Sequence, residues 1–481
     1  MINGSVIPSG HPPETGTRIQ RRLAAAMLLG LLLAGSSGCA TRAWNTPLAA
    51  TPSATPYVFA NRLPRHNSSE TFVVLAFSGG GTRSAAFSYG LLRKLRDTPV
   101  TLDSKTGSLL DEVDVISSVS GGSFTAAYYG LFGKRVFEDY ERVFLRRDIE
   151  GVMLSQLVQP TTLSALGSSD YNRGDMVATW LGREVFANKT FADMSLGELP
   201  YVILNASDLN TGMTFSFIQQ QFDFLCSDIN PYPVANAVMA SSAVPLIFAP
   251  ITLANHNAGC QADLTGKTDW VKNALREDGL FDQRYQVART LQRYADAKRI
   301  PLVRLLDGGL TDNLGVRGSM ASPVAHYGNV LQMKGAFDPT AMAKVKRVLV
   351  IIANAQQRYP DYGWSLAGRE PGLLDTLEAS ANAAIDLLNT ETVGMAKTTF
   401  ERWGDYLNAR RSPEQPQVET FFVPLTFEQI HDQQQYERIN TIPTSFDLEA
   451  KDVDAVISLA GELLDESPAF KAFLDTLNVR Q

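Results

Sequence analysis

The sequence predicts an α/β domain in which a mainly parallel central sheet is covered by helices, and three observations predict it. Short apolar runs stop abruptly at turns of small residues, amphipathic stretches of helical length follow those turns, and the order strand, turn, helix occurs twice between Thr71 and Leu131. Alternation of that kind buries a parallel sheet between helices and sets functional loops at the carboxyl ends of strands. The chain of 481 residues is 44% hydrophobic and 19% charged, enough for one large core. One large domain over 70–355, with an extension over 356–481 packed on it, is the expected organisation.

The first segment stands outside that fold. Arg18, Arg21 and Arg22 precede an apolar run from Leu23 to Ala34, which ends in Gly35-Ser36-Ser37-Gly38-Cys39-Ala40. A basic flank, an apolar stretch short of the roughly 18 residues of a spanning helix, and small residues beyond it read as an export signal over 1–38. The small residues before Cys39 resemble a bacterial lipoprotein processing site, with Ser36 where such sites usually carry Leu. Cleavage there implies an acylated Cys39 and a membrane contact through an acyl anchor in the bacterial cell envelope, as an outer-membrane lipoprotein facing the periplasm or the exterior. Plain secretion with cleavage nearby is the alternative. Residues 39–69, rich in Pro, Thr, Ala and Asn from Thr41 to about Ser69 and without helical or strand periodicity, read as a flexible tether.

The folded part begins at Thr71. The run Thr71 to Phe77 reads as a buried strand entering the tight turn Ser78-Gly79-Gly80-Gly81. Ala86, Tyr89, Gly90, Leu91 and Leu95 then recur near helical spacing, with Arg93, Lys94 and Arg96 where a helix dipole favours cations. Val113 to Ile116 reads as the second strand, Ser117 to Gly122 as a turn, and Ser123 to Leu131 as a helix. Further strands are expected at Tyr201 to Ala206, Thr214 to Phe217, Leu302 to Leu306, Arg347 to Ile352 and Val418 to Pro424. Helical faces recur through Phe281, Tyr285, Ala288, Leu291 and Ala295, and through Val453, Val456, Leu459 and Leu463.

Charge narrows the partners. The leader holds three Arg against Glu14, so removing its net +2 takes the formal charge from −7 to −9. An acidic chain argues against nucleic acid and against attraction to anionic headgroups. Two cysteines, Cys226 and Cys260, remain beyond the leader, an even count where disulfides persist, so pairing is expected; closing that loop constrains the unfolded chain by about 4 kcal/mol in the entropy model.

Three short motifs carry chemistry. Ser120, in Ser118-Val119-Ser120-Gly121-Gly122, lies between a strand and a helix, the setting of a nucleophile elbow, where small neighbours such as Gly122 let the hydroxyl project from a strained turn. The turn through Gly79, Gly80 and Gly81 can aim several backbone N–H groups into one cavity, either as an oxyanion hole or as a phosphate cradle, although neither nucleotide-binding spacing fits. Asp307-Gly308-Gly309 follows a strand, and its carboxylate either emerges beside Ser120 or only caps a turn.

Taken in order and spacing, these elements resemble the patatin-like phospholipase family, and so do Ala240-Ser241-Ser242-Ala243-Val244-Pro245 and the run from Asp307 to Gly315. The resemblance implies a three-layer α/β/α patatin-like fold with a C-terminal helical extension. It implies a Ser–Asp dyad without histidine: Asp307 takes the proton of Ser120, and Gly79, Gly80 and Gly81 hold the oxyanion, with Arg83 as transition-state support. Arg83 pairing structurally with a carboxylate is the competing reading. The implied activity is hydrolysis of carboxylic esters of lipids or phospholipids, with no metal and no cofactor. An acyltransferase and a catalytically silent lipid-binding protein of the envelope are the rivals. Among the five histidines only His326 and His431 follow Asp307 in the order of a Ser, Asp, His triad, and neither sits in a small-residue turn. Asp208 and Asn210 suit either a pocket wall or a turn, and the Met and Leu residues between Gly151 and Leu166 either a lid or core.

Overall fold

The computed structural model describes residues 42–51, 53–59, 67–103, 105–157, 172–194, 198–245, 247–264, 266–317, 343–358 and 363–478. The leader, Cys39, His326 and the stretch 158–171 lie outside the described residues.

An eight-stranded sheet forms the centre. In chain order its strands are β1 (Thr71–Phe77), β2 (Val113–Val119), β3 (Tyr201–Asp208), β4 (Met213–Ser216), β5 (Ile251–Ala254), β6 (Leu302–Leu306), β7 (Arg347–Asn354) and β8 (Glu419–Thr426). Their spatial order is β8-β7-β1-β2-β3-β6-β5, with β4 also paired to β3. The five strands from β8 to β3 are mutually parallel. Every residue of β1, β2, β3 and β7 is buried, as the continuous apolar runs require of strands covered on both faces.

The helices follow from the same pattern. Helix α1 (Gly81–Arg96) and helix α2 (Gly121–Phe132) are the two crossovers read from the sequence, and α1 places Arg93, Lys94 and Arg96 in its last turn. Helix α3 (Arg173–Glu184) and helix α4 (Val234–Ser241) pack together, with α4 also against α2 and β3. A four-residue turn of helix, α5 (Gly309–Asp312), leads from β6 towards α6 (Leu373–Asn408), and α7 (Ala450–Glu466) and α8 (Pro468–Asn478) close the chain. Alternation along β1 separates the layers: Phe77 meets Gly122 of α2, whereas Phe72 meets Trp403 of α6 edge-on at 6.4 Å. Thus α1 and α2 cover one face, and α6 covers the other.

Several features differ from the expected layout. The stretch expected as a tether is tied to the domain where it is described: Tyr57 is buried and its hydroxyl donates to the Val202 carbonyl at 2.8 Å, and the Asn45 side-chain amide donates to Ser227 Oγ at 2.7 Å and to the Ala254 carbonyl at 2.8 Å. Strand β2 runs on through Val119, where a turn was expected from Ser117, and β5 was not among the expected strands. Phe281, expected on a helical face, precedes the helix Gln283–Gln292 and is exposed. The C-terminal extension supplies β8, the edge strand of the central sheet, and lays α7 along α1, so it is continuous with the domain core. Strand β6 runs antiparallel to β3, with Leu306 opposite Ser207. It therefore enters from beyond the carboxyl edge and stops at that edge.

The sheet also holds a buried acid. The register between β1 and β2 shifts at Val73/Val74, and the Asp114 carboxylate at that irregularity accepts the Val73 N–H at 2.8 Å and the Asn67 side-chain amide at 3.2 Å. Burial, with Glu112 adding to it, pushes the Asp114 carboxyl up to about 8 from 3.8. A carboxyl raised in the folded state contributes stability that is present below pH 4 and lost as the pH rises through about 8. Asp114→Asn is therefore expected to raise the melting temperature at pH 8 and to change it little at pH 4, as read by thermal unfolding across that range. An equal effect at both pH values would contradict the assignment.

Candidate functional site

The site stands at the carboxyl edge of the parallel strands, around the turn from β2 into α2. There Ser120 adopts φ 49° and ψ −121°, a region unfavourable to a residue with a Cβ and costing about 1–3 kcal/mol. Partners from remote segments hold the turn in place. The Ser120 N–H donates to Ser241 Oγ at 2.9 Å, and the Gly122 N–H donates to the Ser78 carbonyl at 3.2 Å. Because the Ser241 hydroxyl gives its proton to the Asn205 carbonyl at 2.6 Å, Ser123 Oγ, 2.9 Å away, is the donor towards Ser241. A Cβ on Gly122 would stand 2.6 Å from Phe77 Cβ, so only glycine lets the elbow close on β1.

Asp307 arrives from the other side of β3. Val119 pairs with Asn205 and Leu306 with Ser207, so Ser120 and Asp307 flank Ala206 from opposite sides. Ser120 Oγ donates to Asp307 Oδ2 at 2.8 Å, and both residues are buried. The second carboxylate oxygen, Oδ1, accepts the Gly309 N–H at 2.8 Å. The segment Ala240 to Pro245 fixes the backbone: the Ala243 carbonyl takes the Asp307 N–H at 2.9 Å, and the Ser241 carbonyl takes the Gly308 N–H at 3.0 Å. A Cβ on Gly308 would meet the Asn205 carbonyl oxygen at 2.4 Å. Burial raises the Asp307 carboxyl from 3.8 to about 6, against the lowering effect of its hydrogen bonds from Gly309 and Ser120. It is ionised at neutral pH, yet a far better proton acceptor than an exposed aspartate.

The glycine loop is less uniform than its sequence suggests. The Gly79 N–H is committed to the Asn313 carbonyl at 2.9 Å, which corrects the expectation that all three glycines offer donors. Gly80 and Gly81, at φ 134° and 58°, donate to no backbone carbonyl of a turn or loop among the described residues and stand at the start of α1, where N–H groups lack intrahelical acceptors. Arg83 also departs from its expected role beside the reacting atoms. Its fully buried guanidinium donates through Nε to the Ala355 carbonyl at 2.9 Å, through one terminal nitrogen to the Ile442 carbonyl, and through the other to Thr444 Oγ1 at 3.0 Å. Those acceptors are neutral, so the alternative of a carboxylate partner is not met by them either.

Other sequence candidates fall away from this centre. Cys226 and Cys260 form a disulfide. His256 Nε2 lies 3.2 Å from the Asn45 carbonyl, and the side chain of His431 is 88% exposed beside Glu466. Asp208 is a turn residue: it accepts from the Asn210 N–H at 2.8 Å, from Thr211 Oγ1 at 2.6 Å and from the Tyr294 hydroxyl at 2.6 Å. A hollow of about 390 Å³ lined by Leu110, Val113, Tyr129 and Pro200 lies where β2 and β3 begin, at the edge of the sheet away from Ser120. Among the described residues, no group of three or more His, Cys, Asp or Glu is placed to hold a metal ion, and no helix is long and apolar enough to cross a membrane. Ser241, Asn205 and Asn313 are the site residues that sequence reasoning did not single out. Ser241 and Asn313 stood inside the quoted motifs, whereas Asn205 carried no signal beyond its place in a strand.

Comparison with known proteins follows the same direction. A family model described as patatin-like phospholipase matches residues 75–319. Among solved structures, human GIVD cytosolic phospholipase A2 is similar at 12% identity and a TM-score of 0.40, over 85% of this chain and 60% of that chain. The same human protein in complex with methyl gamma-linolenyl fluorophosphonate gives 12% identity and a TM-score of 0.38, over 85% and 59% of the two chains. The chain thus spans about 60% of the length of the solved relative. No curated protein matches the chain.

An arrangement that keeps a buried carboxylate ionised against its own desolvation trades stability for basicity. The Asp307 contribution to stability is present below pH 4 and lost as the pH rises through about 6. Asp307→Asn is therefore expected to stabilise the protein at pH 7 by up to about 3 kcal/mol while leaving pH 4 stability nearly unchanged, measured by urea unfolding at both pH values. Destabilisation at pH 7 would show that the carboxylate is net favourable where it stands.

Proposed function

This chain belongs to the patatin-like phospholipase family, and from that membership we propose that it is a lipid acyl hydrolase working through Ser120 and Asp307. The observation that carries the reading is the 2.8 Å hydrogen bond from Ser120 Oγ to a buried Asp307 whose pKa is raised to about 6. In the proposed reaction, Ser120 Oγ attacks the ester carbonyl carbon as its proton passes to Asp307 Oδ2. The carbonyl oxygen becomes the oxyanion and faces the N–H groups of Gly80 and Gly81, each such donor being worth about 3 kcal/mol in the barrier. Collapse expels the alcohol, which takes the proton from Asp307 and leaves an acyl-Ser120 ester. Water then attacks that ester while Asp307 again accepts a proton; the fatty acid leaves, and the proton returns to Ser120.

The substrate class, an acyl ester of a lipid or phospholipid, follows from that membership. For the N-terminal segment we propose export and acylation of Cys39, which would set the enzyme at a bacterial envelope membrane. Arg18, Arg21 and Arg22, the apolar run from Leu23 to Ala34 and the small residues before Cys39 support that reading.

Release of free fatty acid from mixed phospholipid micelles tests the proposal. Ser120→Ala and Asp307→Asn are each expected to lower kcat by roughly 10⁴-fold, and the double variant His326→Ala/His431→Ala is expected to retain activity. For the parent, kcat/KM should rise with pH through about 6 and then level, because Asp307 must be ionised. Turnover surviving in Ser120→Ala would overturn the assignment, and loss in a folded histidine variant would replace the dyad with a triad.

A further inference from the structure

Two glycines at positive φ present the donors of the α1 turn, and glycine samples such conformations freely, so the aim of the loop depends on what it is tied to. One tie is the Gly79 N–H to the Asn313 carbonyl. Two more run to the end of β7, where the Ser78 N–H donates to the Ala353 carbonyl at 3.0 Å and Ser78 Oγ accepts the Ala355 N–H at 2.9 Å, and a further set runs to one stretch of the C-terminal extension. The Thr82 N–H donates to the Ser445 carbonyl at 2.8 Å, and Arg83 reaches the Ile442 carbonyl and Thr444 Oγ1 while its Nε holds Ala355. Gln357 adds a hydrogen bond to the Ile442 carbonyl at 2.9 Å. A Cβ on Gly81 would lie 2.5 Å from the Ser445 oxygen, so the contact is as close as a glycine allows.

The same stretch grips the elbow side of the site. Glu150 Oε1 accepts from Ser445 Oγ at 2.9 Å and from the Phe446 N–H at 2.8 Å, and the Phe446 ring meets Phe124 of α2 edge-on at 5.6 Å. Ile442 and Phe446 are buried, whereas the three residues between them reach solvent to differing degrees. The segment is pinned at both ends and bridges the glycine loop to α2, the helix that follows Ser120.

We propose that segment 442–446 is a positioning strap: through Arg83 and Thr82 it holds the Gly80 and Gly81 donors in the direction that stabilises the oxyanion, so the C-terminal extension completes the site. This rests on the reading of Ser120 and the loop given above. Arg83 acts here as a positioning residue, not as a group touching substrate. A misaimed donor loses transition-state stabilisation while substrate binding is kept, so the defect falls on kcat.

The test uses the full chain with Arg83→Met, Arg83→Lys and Thr444→Val, hydrolysis of a short p-nitrophenyl ester, and amide hydrogen exchange over 78–84 and 442–446. Arg83→Met should lower kcat about 100-fold with KM nearly unchanged, as for loss of one oxyanion donor. Thr444→Val, the milder variant, should lower it about 5-fold, the equivalent of one ordinary hydrogen bond. Arg83→Lys should fall between them, and the pH midpoint near 6 should stay in place in all three. Exchange should rise together in both segments. Unchanged exchange at 78–84 when 442–446 loosens, or a loss that appears in KM alone, overturns the strap. If the parent hydrolyses no ester, the proposed function fails while the exchange measurement still decides whether the strap holds the loop.

Discussion

At Ser120 the backbone leaves a buried strand and enters a helix through a positive φ, and that turn constrains everything around it. A residue with a side chain adopts such a conformation only when its surroundings over-determine it. Here the surroundings come from distant parts of the chain: Ser241 holds the Ser120 N–H, the Ser78 carbonyl holds the Gly122 N–H, and the glycine at 122 lets α2 approach β1. The hydroxyl is thereby fixed at the end of the sheet before any partner is considered.

The partner is then delivered by topology. Because β6 runs antiparallel to β3 and stops opposite Ser207, Asp307 ends level with Ser120 across a single intervening strand. The segment Ala240 to Pro245 links the two halves, since Ser241 supports Ser120 with its side chain and the Gly308 N–H with its carbonyl. One short stretch therefore sets both sides of the hydrogen bond. The cost is a carboxylate kept in a site that disfavours its charge, and that same burial raises its basicity.

Much of this was legible in the sequence where the signal is local. Apolar runs that stop at small residues gave the positions of β1, β2 and β6, and the words around Ser120 and Asp307 marked the two residues that the fold brings within hydrogen-bond distance. What the sequence did not reveal depends on pairs far apart in the chain. Arg83 finds its acceptors at Ala355, Ile442 and Thr444, and Gly79 is silenced as a donor by Asn313, contacts that leave no periodicity or motif behind. The direction of β6 was hidden for a similar reason, because a buried strand of either direction reads as the same apolar run. The C-terminal strand β8 was visible as a strand at Val418 to Pro424, but its place at the edge of the central sheet was not.

The measurement that tests the central claim most directly is the rate at which a long-chain alkyl fluorophosphonate labels the protein between pH 4 and 9, followed by intact mass and peptide mapping. A Ser120 activated by Asp307 predicts one adduct per chain, located on Ser120, with a labelling rate that rises through about pH 6 and then levels. No adduct, an adduct on another residue, or a rate that continues to climb towards the pKa of a free hydroxyl would contradict it.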